Sequence, residues 1–283
     1  MSSYAFFGSP VFARIILEKL IANDLAPEVL ICNPDKPFGR KRILTPPETK
    51  KYILENKLPI KILQPETKDD LVKISEISEI KKLKFGVVAA YSKIIPQSLI
   101  DSFPQGIIGT HPSLLPKYRG ASPIQAAILG GDKITGATLY LLDREMDHGP
   151  ILAQESMDIS DKFWNYSRLQ EALADACANA LIRTIPLFSE DKIVPEMQDE
   201  SKATYTKKFT TEDGFVDLAN EDPEIIARKI LALNPDPGTY TLIKTKRVKL
   251  LDVSKQPDGS FVITKIQPEG KTPQPAALKL PLK

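Results

Sequence analysis

Residues 106–125 read GIIGTHPSLLPKYRGASPIQ. A short apolar run ends at His111, one of only two histidines in the chain. After it come three prolines, two serines, an arginine and a glycine, the composition of a rigid open loop. The run before the histidine is continuously apolar, as in a strand covered on both faces of a parallel sheet. A rare ionisable ring therefore stands where a buried strand opens into a loop.

Similar runs lie on either side. YAFFG (4–8), EVLIC (28–32), IKILQP (60–65), FGVVAAY (85–91) and ATLYLLD (137–143) read as further strands. Amphipathic stretches at about 11–21, 47–56, 124–129 and 166–185 read as the helices between them. Apolar strands alternating with helices predict an α/β fold with a mostly parallel sheet. Residues 1–188 are expected to form this catalytic domain, and the polar stretch 189–208 a linker. Residues 209–283 are expected to form a smaller domain with one helix (222–233) and short strands TYTLI, RVKLLDV and FVITKI. Such strands with turn signals predict an antiparallel or barrel domain. The last residues, KTPQPAALKLPLK, read as a loosely held tail.

The 283 residues are 42% hydrophobic and 26% charged, with a net charge of +2, so an anionic partner must be met by a local basic patch. Cys32 and Cys177 match no metal spacing and read as buried thiols of a reducing compartment. No stretch reaches the length of a membrane span, and the N-terminus carries no signal-peptide pattern. A cytoplasmic protein is expected, without a metal or a membrane partner.

In an open parallel sheet, ligands bind beyond the carboxyl ends of the strands. His111 and Asp147 each follow a predicted strand, so the fold can bring them together. An imidazole beside a carboxylate can move a proton or steady an oxyanion near neutral pH. On spacing alone, a structural histidine and a turn-capping carboxylate are the competing assignment. His148 adjoins Asp147, and nothing in its position assigns it a role.

HPSLLPKYRGASPIQ (111–125) followed by DHGPIL (147–152) resembles the signature of the folate-dependent formyltransferases. The resemblance covers nearly the whole chain. FFGSPVF, CNPDKPFGRKRILTPP, VVAAYSKIIP, ATYTKKFTTEDGFVDL, ALNPDPGTYT and QPEGK are similar, in order, to segments of family members that formylate methionyl initiator tRNA. It implies a Rossmann-like catalytic domain, an OB-like C-terminal domain and a monomer. It implies 10-formyltetrahydrofolate as formyl donor and the amino group of methionyl initiator tRNA as acceptor. His111 and Asp147 take the catalytic roles. Ser113, Leu114, Leu115 and Pro116, with Ala89, Ala90 and Tyr91, match the folate pocket. Lys36, Arg40, Lys41 and Arg42, with Phe38 among them, match the insertion that meets the tRNA acceptor. Lys246, Arg247 and Lys249 supply a second basic patch suited to phosphates.

The chain departs from the family pattern at Gly109, where an asparagine is usual. That asparagine's amide is implied to hydrogen-bond the formyl oxygen, and loss of one such donor typically costs roughly 100- to 1,000-fold in rate. A water, a backbone N–H, Ser113 or Thr110 is expected to stand in. Thr110 is the weakest substitute, because neighbours on a strand face opposite ways. Gly109→Asn is expected to be tolerated or to raise activity. Two rival functions remain: a formyltransferase for a small amine, and a non-catalytic folate- or tRNA-binding relative.

Overall fold

The structure is a computed structural model and describes residues 3–39, 41–160 and 163–280. The chain divides into two compact units. The first comprises residues 1–119, 136–156 and 171–204; the second comprises 120–135, 157–170 and 205–283.

The elements run β1 (Tyr4–Gly8), α1 (Val11–Ala22), β2 (Val29–Ile31), β3 (Lys36–Phe38), β4 (Ile43–Thr45) and α2 (Glu48–Glu55). Next come β5 (Lys61–Leu63), α3 (Lys68–Ile74), β6 (Phe85–Ala89), α4 (Gln97–Ile100) and β7 (Ile107–His111). Then follow β8 (Arg119–Gly120), α5 (Pro123–Gly130), β9 (Ile134–Leu141), β10 (Ile151–Asp158), α6 (Tyr166–Ser189) and β11 (Tyr205–Thr206). The chain ends with α7 (Pro223–Leu233), β12 (Thr239–Ile243), β13 (Lys246–Lys255), β14 (Phe261–Pro268) and β15 (Gln274–Lys279).

The central sheet has seven strands in the order β10-β9-β7-β6-β1-β2-β5. Strands β1, β2, β5, β6 and β7 are parallel, as their unbroken apolar runs predict. Their side chains are closed off on both faces: Tyr4, Phe6, Phe7, Leu30, Phe85 and Val87 are fully buried. Tyr4 and Phe85 stack at 5.1 Å between ring centroids. Burying each such side chain stabilises the fold by about 1.5–3 kcal/mol. Both cysteines are free and buried.

Strand β9 corrects one expectation. It pairs with β7 antiparallel, His111 opposite Thr138 and Ile108 opposite Leu141. An apolar strand looks the same in either direction, so the sequence carried no sign of the reversal. Strand β10 was not expected at all. Its residues are half-buried and exposed by turns, as befits the edge of the sheet.

The expected small antiparallel domain is present: β12-β13-β14-β15 pair in chain order. The tail reading of residues 271–283 is corrected for its described part. β15 is a strand on β14, with Val262 opposite Lys279 and Ile266 opposite Gln274. Beyond it Leu280 is buried, its N–H donating to the Phe261 carbonyl. Within the polar stretch after α6, Glu196 bridges Ile151, and Gln198 is buried.

Candidate active site

His111 is the last residue of β7 and is only 5% exposed. Its Nε2 lies 2.8 Å from the Tyr118 carbonyl oxygen. A carbonyl can only accept, so Nε2 carries the proton and Nδ1 is the working nitrogen. That Nδ1 lies 3.6 Å from Asp147 Oδ2. The separation is an ion-pair contact but too long for a hydrogen bond. A ligand oxygen or a water can therefore exchange a proton there.

Asp147 does not reach His111 in the way expected. Because β9 runs antiparallel, it ends beside Ile108, about 10 Å back along β7 from His111. The connection must then turn back. The Leu141 N–H donates to the Pro150 carbonyl at 2.9 Å, closing the turn. Asp147 itself sits in the left-handed region at φ 53°, which Asp tolerates better than most residues. Gln198 locks the turn from outside, its amide donating to the Asp147 carbonyl at 2.9 Å and the Gly149 carbonyl at 2.8 Å.

Gln198 is held in turn by Arg119, which is fully buried. The Arg119 guanidinium donates to Gln198 Oε1 and to both oxygens of Glu200, the latter at 2.6 and 2.9 Å. Donation from Arg119 holds the Glu200 carboxyl below its usual range. His148 bonds Asp143 at 2.6 Å, which raises its pKa.

Sequence reasoning missed one residue at the centre. Tyr140 is only 7% exposed, and its hydroxyl donates to Asp147 Oδ1 at 2.6 Å. Burial, with the Asp147 charge beside it, raises the phenol well above its usual range, so it remains a donor. Tyr140 is also the direct cross-strand partner of Gly109. Two cues were readable: a glycine in an otherwise bulky strand, and an aromatic at an odd place in the neighbouring one.

The predicted folate residues divide. Ser113 is buried, and its hydroxyl donates to the Lys117 carbonyl at 2.6 Å. Leu115 is also buried, its N–H bonded to Thr138 and its carbonyl to Gln154. Leu114 and Pro116 are half-buried and offer side-chain surface. Ala89 is fully buried in β6 between Gly8 and Thr110. Ala90 is exposed at φ 47°. It lines a cavity of about 560 Å³ together with Ser9, Asn33, Phe38 and Ser92. Tyr91 packs edge-on against Phe7, and its buried hydroxyl has no hydrogen-bond partner among the described residues. Thr110 faces away as expected, bonding the Val88 carbonyl at 3.1 Å.

The first basic patch forms the β3–β4 ribbon, with Gly39 turning at φ 70°. Lys36, Lys41 and Arg42 are exposed, while Arg40 lies outside the described residues. Phe38 is 76% exposed and does not anchor the ribbon to the core. At its base, Lys50 grips Asp35 and Gln64 at 2.7–2.8 Å. In the second unit, Lys246 and Lys249 are exposed, whereas Arg247 lies over the Tyr240 ring at 3.6 Å. Among the described residues, no group of three or more His, Cys, Asp or Glu side chains could hold a metal ion, and no helix is long and apolar enough to cross a membrane.

Comparison with known proteins decides the family. Residues 3–185 match the formyl transferase family model, and residues 208–260 match that of the formyl transferase C-terminal domain. The chain belongs to the formyltransferase family. It is 41% identical over 271 residues to a methionyl-tRNA formyltransferase of Campylobacter lari, covering 95% of this chain and 86% of the relative. The solved structure of methionyl-tRNA formyltransferase from Clostridium thermocellum shares the fold, with a TM-score of 0.61 at 18% identity, over 95% of this chain and 99% of the other. HypX of Aquifex aeolicus, solved in complex with tetrahydrofolic acid, matches with a TM-score of 0.67 at 16% identity, over 96% of this chain and 46% of the other. In this formyltransferase, then, His111, Asp147 and Tyr140 meet at one carboxylate.

Proposed function

We propose that the chain transfers a formyl group from 10-formyltetrahydrofolate to the amino group of methionyl initiator tRNA, for translation initiation. The observation that carries this reading is the approach of His111 Nδ1 to Asp147 Oδ2 at 3.6 Å. The acceptor amine attacks the formyl carbon of the donor to form a new C–N bond. The tetrahedral intermediate collapses by breaking the bond from that carbon to N10, which leaves as tetrahydrofolate after taking up a proton. The Tyr118 carbonyl holds the imidazole so that Nδ1 faces the reacting group. From Nδ1 the protonated ring donates toward the formyl oxygen. Asp147 receives the amine proton, directly or through a bridging water. Leu114, Pro116 and Ala90 offer surface to the folate ring. Ser113, Leu115 and Tyr91 shape the loop and strand end that hold it.

The basic ribbon meets the acceptor end, and the exposed Phe38 is available to stack on an unpaired base. Lys246 and Lys249 contact tRNA phosphates, with Arg247 supporting them. Functionally, residues 1–188 carry the chemistry, 189–208 connect, and 209–283 hold the tRNA. The protein works as a cytoplasmic monomer.

The test is formyl transfer by the full chain with charged initiator tRNA and 10-formyltetrahydrofolate. His111→Ala and Asp147→Asn are each expected to lower kcat by about 10²- to 10⁴-fold. Product formed equally well by both variants would sink the assignment. Formylation of an amino-sugar nucleotide, with none of the tRNA, would move the protein to the small-amine class.

A further inference from the structure

We propose that Tyr140 is a positioning residue of the transfer site: its hydroxyl sets the plane of the Asp147 carboxylate, and its ring occupies the space a side chain at Gly109 would need. The inference rests on the catalytic reading of His111 and Asp147 above.

The argument begins with register. Directly opposed residues of an antiparallel pair project to the same face. Gly109 opposes Tyr140, and His111 opposes Thr138, so all four lie on one face. A Cβ at Gly109 would stand 2.4 Å from Tyr140 Cε1, 2.5 Å from Cζ and 2.8 Å from Leu142 Cδ1. These atoms belong to the body of the ring and to a packed leucine, not to a mobile tip. The ring cannot swing aside cheaply, because its hydroxyl is bonded to Asp147 at 2.6 Å.

The polar half of the argument concerns Asp147. The χ2 torsion of an aspartate is broad, so burial alone does not orient its carboxylate. Here each oxygen has its own neighbour: Tyr140 at Oδ1 and His111 at Oδ2. The phenol bond therefore selects the carboxylate plane that presents Oδ2 to the histidine. The chain lacks a polar side chain at position 109 and instead brings a donor to the same face from the adjacent strand. This answers what stands near the missing side chain, and it reverses the expectation that Gly109→Asn is harmless.

The experiment measures kcat and KM for formyl transfer, with thermal unfolding as a control for folding. Tyr140→Phe keeps the ring and removes the donor. Loss of a hydrogen bond to a charged group should lower kcat by about 10- to 100-fold, with KM for both substrates within about twofold. In the Asp147→Asn background the same change should cost less than about threefold, because both act through one carboxylate. Gly109→Asn alone should unfold at lower temperature and lose activity. Gly109→Asn combined with Tyr140→Leu should regain the stability that Gly109→Asn loses.

Wild-type kcat in Tyr140→Phe, or an equal loss with and without the Asp147 carboxylate, overturns the positioning role. A Gly109→Asn enzyme as stable and active as the parent overturns the steric coupling. Full activity in Asp147→Asn instead refutes the underlying site assignment, a separate outcome.

Discussion

Arg119 shows how much of the site depends on a residue that touches no substrate in this reading. Its guanidinium is fully buried and donates to Gln198 and to the exposed Glu200. Through Gln198 it braces the main chain on both sides of His148. Glu200→Ala would leave a buried cation short of its acceptor. A loss of roughly 1–3 kcal/mol is expected, since that is the penalty for stranding a buried polar group. Urea denaturation of the variant beside the parent measures it. A midpoint unchanged from the parent would show that the arginine is satisfied without Glu200. Of these residues, the sequence announced His111 and Asp147 through a motif. Arg119 lay inside the same motif but its burial did not show, because a charged residue in a polar loop normally faces water.

At the level of elements, the β3–β4 ribbon adds little to the core. Its three-residue strands expose Lys36, Phe38, Ile43 and Leu44, and its buried support is confined to the base. Replacing Lys36, Lys41 and Arg42 with Ser should weaken tRNA binding and flatten its salt dependence by about one logarithmic unit per lost phosphate contact. Folate binding and thermal stability should stay near the parent values. An unaltered salt slope in filter binding would remove the ribbon from the tRNA interface. The charges of this ribbon were legible in the sequence, but its pairing was not. Three-residue strands give too few alternations for a period to emerge. Edge strand β10 was hidden by its polar residues, and β9 hid its direction.

For the molecule as a whole, the C-terminal residues matter more than their composition suggests. Pro275 and the two alanines after it hid β15, although an edge strand is where proline is tolerated. Deleting residues 272–283 would leave β14 as an unpaired edge and remove the buried Leu280. The truncated protein should unfold earlier and be cut faster by proteases within 239–268. Calorimetry and limited proteolysis together test this, and a full-length-like melting profile would mean that three strands suffice. The broad plan, a parallel α/β unit followed by a small antiparallel one, was readable because it rests on long apolar runs. What escaped reading depends on partners distant along the chain, such as Gly109 with Tyr140 or Arg119 with Gln198.

The left-handed backbone at Asp147 changes how its chemistry should be measured. Asparagine accepts that conformation almost as readily as aspartate, whereas alanine resists it. An alanine scan at this position would therefore confound two losses, a missing carboxylate and a reluctant main chain. Only the isosteric amide isolates the first, so rates from the two replacements should differ, and the gap between them reports the tension held in the peptide itself.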